Sequence, residues 1–142
     1  VAAGFATTCV VGDGRVSCAG NNDFGQLGQG PGGGLLAEIL VPSNVTSVSI
    51  GLVHACATTE DGTFCWGEGP VGQLGGLRVA AAPTRVAGNF SEVVVGCDHS
   101  CGVEDGKIRC WGHNKYGQLG DGTVVARPSG VVIAISPWVD VV

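Results

Sequence analysis

Methionine is absent from the 142 residues, tyrosine occurs once, and only 13% of the side chains are charged. The missing methionine predicts that the native start lies outside this stretch, as in a mature fragment or a window of a longer chain; no signal peptide is visible. Seven Lys and Arg stand against twelve Asp and Glu, a net charge of −5, and the basic residues are scattered. That excludes the clustered positive surface on which nucleic-acid binding depends, so no nucleic-acid partner is expected. No uninterrupted apolar run approaches the roughly 18 residues of a membrane-spanning helix. Helical periodicity is nearly missing too, with one weak trace in "LLAEIL", residues 35–40. What the chain does have is glycine, 26 residues spread through turns without a collagen period, and an apolar share of 44%. Its length suits one domain with a modest core.

Cysteine is also present, and it is spaced. "CVVGDGRVSC", "CATTEDGTFC" and "CGVEDGKIRC" each place two cysteines around an Asp-Gly pair. Asp-Gly between short strands favours a type I′ turn, whose positive φ angles both residues tolerate. Centring the turn on Asp105-Gly106 pairs Glu104 with Lys107, Val103 with Ile108, Gly102 with Arg109 and Cys101 with Cys110. The fourth pair from the turn is non-hydrogen-bonded, where Cα atoms approach to about 4.5 Å, within reach of a disulfide. Asp13-Gly14 is centred in the same way between Cys9 and Cys18. In the middle copy Asp61-Gly62 is off centre, and a four-residue loop over 59–62 restores the Cys56–Cys65 pair. Three hairpin disulfides are expected.

The hairpins belong to a repeat. "GQLG" begins at Gly25, Gly72 and Gly117, steps of 47 and 45 residues. "GFATTC", "GLVHAC" and "GCDHSC" precede the hairpins, and "AGNNDFGQLG", "WGEGPVGQLG" and "WGHNKYGQLG" follow them. A period of this length with several short strands is the signature of propeller blades. The boundaries read as 1–46, 47–91 and 92–137, with 138–142 ("WVDVV") opening a fourth copy. "HSCGVEDGKIRCWGHNKYGQLGDGT", residues 99–123, resembles a repeat of the regulator-of-chromosome-condensation family. The resemblance covers essentially the whole chain. It implies an all-β fold, blades of four antiparallel strands that usually close seven to a ring, and structural roles for His54 and His99. Departures are Ala19 at the usual Trp, Thr7 at the usual His, and Gly69-Pro70 in place of Asn-x. Three blades alone would leave blade faces open, so further blades or further copies of the protein are expected partners.

Candidate sites divide by chemistry. Disulfides in every repeat belong to an oxidising compartment. Asn44-Val45-Thr46 and Asn89-Phe90-Ser91 are N-glycosylation sequons at equivalent positions, each seven residues before its repeat's Gly; the third equivalent is Pro137. N-linked glycans at Asn44 and Asn89 and a secreted or ectodomain location follow. Cys97 is unpaired: its counterparts Phe5 and Leu52 suggest a small buried hydrophobe, the alternative being an intermolecular or inter-blade thiol. "GCDHSC" gathers Cys97, Asp98, His99 and Cys101, but Cys101 is committed to Cys110 and the set is incomplete, so no metal is expected. Leu27, Leu74 and Leu119 are expected to plug between blades, Trp66, Trp111 and Trp138 to be core, and His113 to be solvated.

No nucleophile elbow, phosphate loop or isolated carboxylate pair is found; Gly-Gln-Leu-Gly lacks the Lys and helix of a phosphate loop. No enzyme activity and no cofactor are expected. The variable loop residues Asn21, Asn22, Asp23 and Phe24, Glu68 and Val71, and His113, Asn114, Lys115 and Tyr116 are candidate contacts with a protein partner, because differing tips on a repeated frame suit recognition. The alternative is unconstrained solvated loops. The function expected is a non-enzymatic extracellular scaffold for protein–protein contact. The rivals are a structural subunit of an extracellular fibre, coat or matrix, and a binder or inhibitor of a secreted enzyme. Family resemblance also implies nucleotide exchange, which fits poorly with disulfides, sequons and acidity.

Overall fold

The computed structural model describes residues 1–30, 32 and 34–134. The expected opening strand at 138–142, Trp138 and Pro137 lie outside the described residues. Among the described residues, twelve strands form three antiparallel sheets of four. The first contains β1 (Ala2–Ala3), β2 (Thr7–Gly12), β3 (Arg15–Gly20) and β4 (Gly34–Ile39). The second contains β5 (Val45–Ile50), β6 (His54–Thr59), β7 (Gly62–Glu68) and β8 (Val79–Val86). The third contains β9 (Glu92–Val95), β10 (His99–Glu104), β11 (Lys107–Gly112) and β12 (Arg127–Ala134). Each is a meander in chain order. The "LLAEIL" trace is strand, not helix: tertiary pairing of β4 with β3 overrides it. No helix among the described residues is long and apolar enough to cross a membrane.

The cysteine hairpins have the register that the turns dictate. Asp13 and Asp105 adopt φ of 52° and 51°, and the glycines after them 72° and 71°, as a type I′ turn requires. The third hairpin pairs Glu104 with Lys107 and Cys101 with Cys110. The middle hairpin is tighter than the 59–62 loop expected. Thr59 pairs with Gly62, leaving Glu60-Asp61 as the turn. Thr59 makes this possible, since its hydroxyl accepts from the Asp61 amide at 3.1 Å and donates to the Gly62 carbonyl at 2.9 Å. Gly62, at φ 141°, takes the backbone strain that Asp and Gly share in the other copies.

The sheets stack face to face as blades. β1 packs on β5 and β5 on β9, so the first strands form the inner edge and the fourth strands the outer one. Being covered on both sides, β6 and β7 are buried along nearly their whole length, whereas β2 and β10 are not. The core runs between blades: Leu27, Ile39, Trp66, Leu74, Val86, Phe90 and Trp111 are all buried, and Phe90 stacks on Trp111 with centroids 5.1 Å apart.

Close approach at the inner edge explains the recurring glycine. A Cβ on Gly4 would meet the Gly51 carbonyl oxygen, and one on Gly51 would overlap the Gly96 carbonyl oxygen. Gly12 in β2 has open space around it. We therefore expect Gly51→Ala to cost about 3 kcal/mol or more, since backbone of the next blade must move. Gly12→Ala should leave stability unchanged or raise it by about 0.5 kcal/mol. Urea unfolding midpoints of the two variants check this; equal midpoints would be the failing result.

Candidate protein-docking face

The repeated Gly-Gln-Leu-Gly builds one loop per blade, between the third and fourth strands. Its two glycines sit at positive φ in every copy: 71° and 64°, 97° and 71°, 75° and 68°. The second donates its amide to the carbonyl of the first at 2.9 to 3.0 Å, and the first donates to the carbonyl of Asn22, Gly69 or Asn114 at 2.9 to 3.1 Å, which makes two successive tight turns. Between them the leucine points inward; Leu27, Leu74 and Leu119 are all buried.

The glutamine works at both ends. Its side-chain Oε1 accepts from the backbone amide two residues earlier: Gln26 from Phe24 at 2.9 Å, Gln73 from Val71 at 3.1 Å, Gln118 from Tyr116 at 2.9 Å. Its backbone carbonyl accepts the indole of the following blade. Trp66 Nε1 donates to Gln26 O at 2.8 Å, and Trp111 Nε1 to Gln73 O at 2.9 Å. The tryptophans are therefore core residues with their polar handle satisfied across the blade boundary. The first blade, with Ala19 at this position, has no such donor. Sequence reading assigned the leucine but missed the glutamine; its invariance across three otherwise differing loops was the available signal.

A second contact crosses the blade boundary nearby. His54 is fully buried, and its Nε2 lies 2.8 Å from Ser100 Oγ. Ser100 in turn donates to the Gln73 carbonyl at 3.2 Å. Burial, reinforced by nearby His99, pushes the His54 imidazole down from 6.5 to about 4.

The candidate contact residues separate into braces and tips. Asn22 and Asn114 are buried and leave the contact set. Asn22 Oδ1 accepts from Leu27 N at 2.8 Å and its amide donates to Gly30 and Gly32 carbonyls; Asn114 repeats this with Leu119, Thr123 and Val125. The middle blade has Gly69 here, and its own amide closes the loop on the Arg78 carbonyl at 2.7 Å. His113 is not merely solvated: half-buried, its Nδ1 lies 2.9 Å from Asp98 Oδ2. Asn21 is held by Gln26 and Asp23. Asp121, unremarked in the sequence, buttresses the third loop. Hydrogen bonds from the Thr123 hydroxyl and amide, then Arg127 and Asn114, hold its carboxyl well below the usual range.

Left at the surface are Asp23, Phe24, Lys115 and Tyr116, with Glu68 and Val71 half-buried. Phe24, Val71 and Tyr116 occupy the same position in successive blades, so the glutamines present a row of apolar tips. A second row lies inside it on the same face, in the turns between first and second strands. Phe5 and Cys97 are exposed and Leu52 half-buried there. The buried-hydrophobe expectation for Cys97 thus fails: its slot is apolar in every copy but faces out. Asp98 bonds His113 rather than joining Cys97, and no group of three metal-ligating side chains occurs among the described residues.

The opposite face is built differently. Each disulfide hairpin ends there, and the bonds join Cys9 to Cys18, Cys56 to Cys65 and Cys101 to Cys110, all with Cα atoms 4.1 Å apart. Its turns carry Asp13, Arg15, Glu60, Asp61, Asp105 and Lys107. Asn44 and Asn89 are exposed there, each lying against the hairpin turn of the preceding blade: Asn44 over Gly14, Asn89 beside Arg85, which donates to the Asp61 carbonyl.

Three four-stranded meanders stacked about an inner edge of first strands are blades of a β-propeller. No protein-family model matches the chain, and no curated protein matches it in sequence. Solved structures do. Prp20p of Saccharomyces cerevisiae, characterised for its binding to Gsp1p and histones, matches with a TM-score of 0.84 at 20% identity, over 94% of this chain and 37% of its own. The same yeast RCC1 (Prp20) bound to Kap60 gives 0.82 at 20% identity, over 94% and 36%. Human WBSCR16 gives 0.81 at 25% identity, over 94% and 38%. The fold is that of RCC1-type propeller blades. The chain spans little more than a third of the length of these structures.

His54 gives a pH prediction. With the folded value below the unfolded one, its contribution is whole above pH 6.5 and is lost as pH falls towards 4, because the unfolded chain takes up the proton first. Stability is expected to drop by roughly 3 kcal/mol across that window. His54→Gln should flatten the slope. Denaturant unfolding at stepped pH checks it, and an unchanged slope in the variant would refute the assignment.

Proposed function

We propose that the chain is a non-enzymatic, extracellular propeller segment that serves as a scaffold for protein–protein contact, with the loop face as its docking surface. Residues 1–46, 47–91 and 92–137 each supply one blade. The observation that carries this reading is the segregation of the two faces. Apolar tips, Phe24, Val71 and Tyr116 outside and Phe5, Leu52 and Cys97 inside, gather on one face. The hairpin turns, with charges but no apolar tips, and both sequon asparagines lie on the other, whereas the loop-face charges Asp23, Glu68 and Lys115 sit among apolar tips. Exposed aromatic anchors on rigid loops suit a protein partner, since aromatic residues are enriched in the cores of such interfaces. Glycans on Asn44 and Asn89 would cover the turn face and leave the loop face open.

Three disulfides support an oxidising compartment. The propeller neighbours of known structure bind protein partners, Gsp1p, histones and Kap60 among them. The acidic balance alone would suit a basic partner, but the loop face mixes Asp23 and Glu68 with Lys115 beside its apolar tips, so a partner with a complementary apolar patch fits better.

Two measurements test this. Intact mass after alkylation without reduction should give one labelled cysteine, Cys97, and six that refuse the label, with glycan mass on Asn44 or Asn89 in natively sourced protein. Seven labelled cysteines and no glycan would return the chain to an intracellular role. In a binding screen against secreted and cell-surface proteins, Phe24→Ala with Tyr116→Ala should weaken the partner's affinity about 10- to 100-fold, whereas Asn44→Gln with Asn89→Gln should not. The reverse ranking would move the docking surface to the turn face.

A further inference from the structure

The outer edges of the three blades are not alike. β4, β8 and β12 each pair with a single neighbour, leaving backbone groups open on the other side. The disulfide positions align them: Cys18, Cys65 and Cys110 pair with Ala37, Thr84 and Val131. One residue before these stand Leu36, Pro83 and Gly130. Proline offers no amide to an incoming strand, so Pro83 guards the middle edge, and β12 carries Pro128. β4 has no proline.

What β4 presents instead is a bare apolar edge. Cys9 and Cys18 form a non-hydrogen-bonded pair, so Cys18 bonds towards Ala37, and by alternation the amides of Leu36 and Glu38 point away from the sheet. Leu35, Leu36 and Leu40 are 90%, 62% and 81% exposed. The strand's one charge, Glu38, lies 3.4 Å from Arg15. Among the described residues, one side chain, Gln29, covers the outward carbonyl of Glu38.

We propose that β4 is a self-association edge, on which a second copy of this chain pairs its own β4 antiparallel about a two-fold axis. The occupant follows from the edge. A two-fold axis makes identical strands antiparallel, the arrangement that hydrogen-bonds well, and an axis through Glu38 sets Leu36 against Leu40 of the second copy. Each Glu38 arrives already matched by its own Arg15, so two acidic chains meet without unbalanced charge at the seam. Six leucines and two strand edges cover on the order of 1,000 Å², where specific interfaces begin. The first blade's sheet then continues across the pair, and only the Gln29 contact is exchanged for a strand–strand bond.

Leu36→Pro transplants the guard of the middle blade to the register position at which that blade already tolerates it. Leu36→Lys is the second variant, in case proline disturbs the fold, and circular dichroism checks both. In the unmodified chain the Glu38 amide should exchange at least about tenfold more slowly when concentrated than when dilute, with the particle mass doubling by light scattering. Both variants should abolish that concentration dependence. Exchange at Glu38 that does not change with concentration overturns the proposal, whatever the particle mass. Protection gained only on adding an extended peptide from another protein also overturns it and gives the edge to a foreign strand.

Discussion

The indole-to-carbonyl bond between consecutive blades is the interaction on which the rest depends. A Gly-Gln-Leu-Gly loop must hold its glutamine carbonyl where Trp66 or Trp111 can reach it, 2.8 and 2.9 Å away. That demand fixes the loop's two left-handed glycines, and the leucine between them fills the space beneath. A buried indole N–H without a partner would cost on the order of 1–3 kcal/mol, so the pairing is as much a constraint as a source of stability. The side chain of the same glutamine then positions the tip residue by its amide. Packing inside the stack and presentation at the surface are therefore controlled by one residue.

Two further devices keep the blades in place around that bond. At the inner edge, glycine lets one blade's backbone lie against the carbonyl of the next, so the first strands come closer than any side chain permits. Within each blade, a disulfide staples the central hairpin at its fourth pair. A small sheet with one covered face gains from such a staple, because the unfolded hairpin loses freedom. The frame is thus fixed near the axis and through the middle of each blade. Variation is confined to the loop tips and the outermost strands.

The hairpins were legible in the sequence because a centred Asp-Gly turn and a period of two leave one register. The middle copy was read one pair too loose, since the stapling role of the Thr59 hydroxyl depends on geometry that composition does not carry. Asn22 and Asn114 looked like tips because they sit in polar loops, yet their side chains substitute for missing backbone bonds and are drawn inside. Cys97 was misread for the opposite reason. Its apolar counterparts suggested burial, but all three lie in turns on one face, where Phe5 and Cys97 are exposed and Leu52 is half-buried. The segregation of the two faces was not readable from pattern, because it needs the direction of each strand in three dimensions.

Trp66 and Trp111 reach back to the blade before them, and Gln26 and Gln73 receive from the blade after them. The middle repeat thus carries both a donor, Trp66, and an acceptor, the Gln73 carbonyl, and is a self-contained cassette. Duplicating or deleting that middle unit at the DNA level leaves the remaining junctions chemically matched. Such a gene can change its blade number in a single recombination event, whereas a chain held by junction-specific contacts would need compensating changes on both sides. Ala19 interrupts this equivalence: a blade placed before the first would find no indole to hold it, so growth by duplication is favoured behind that point rather than ahead of it.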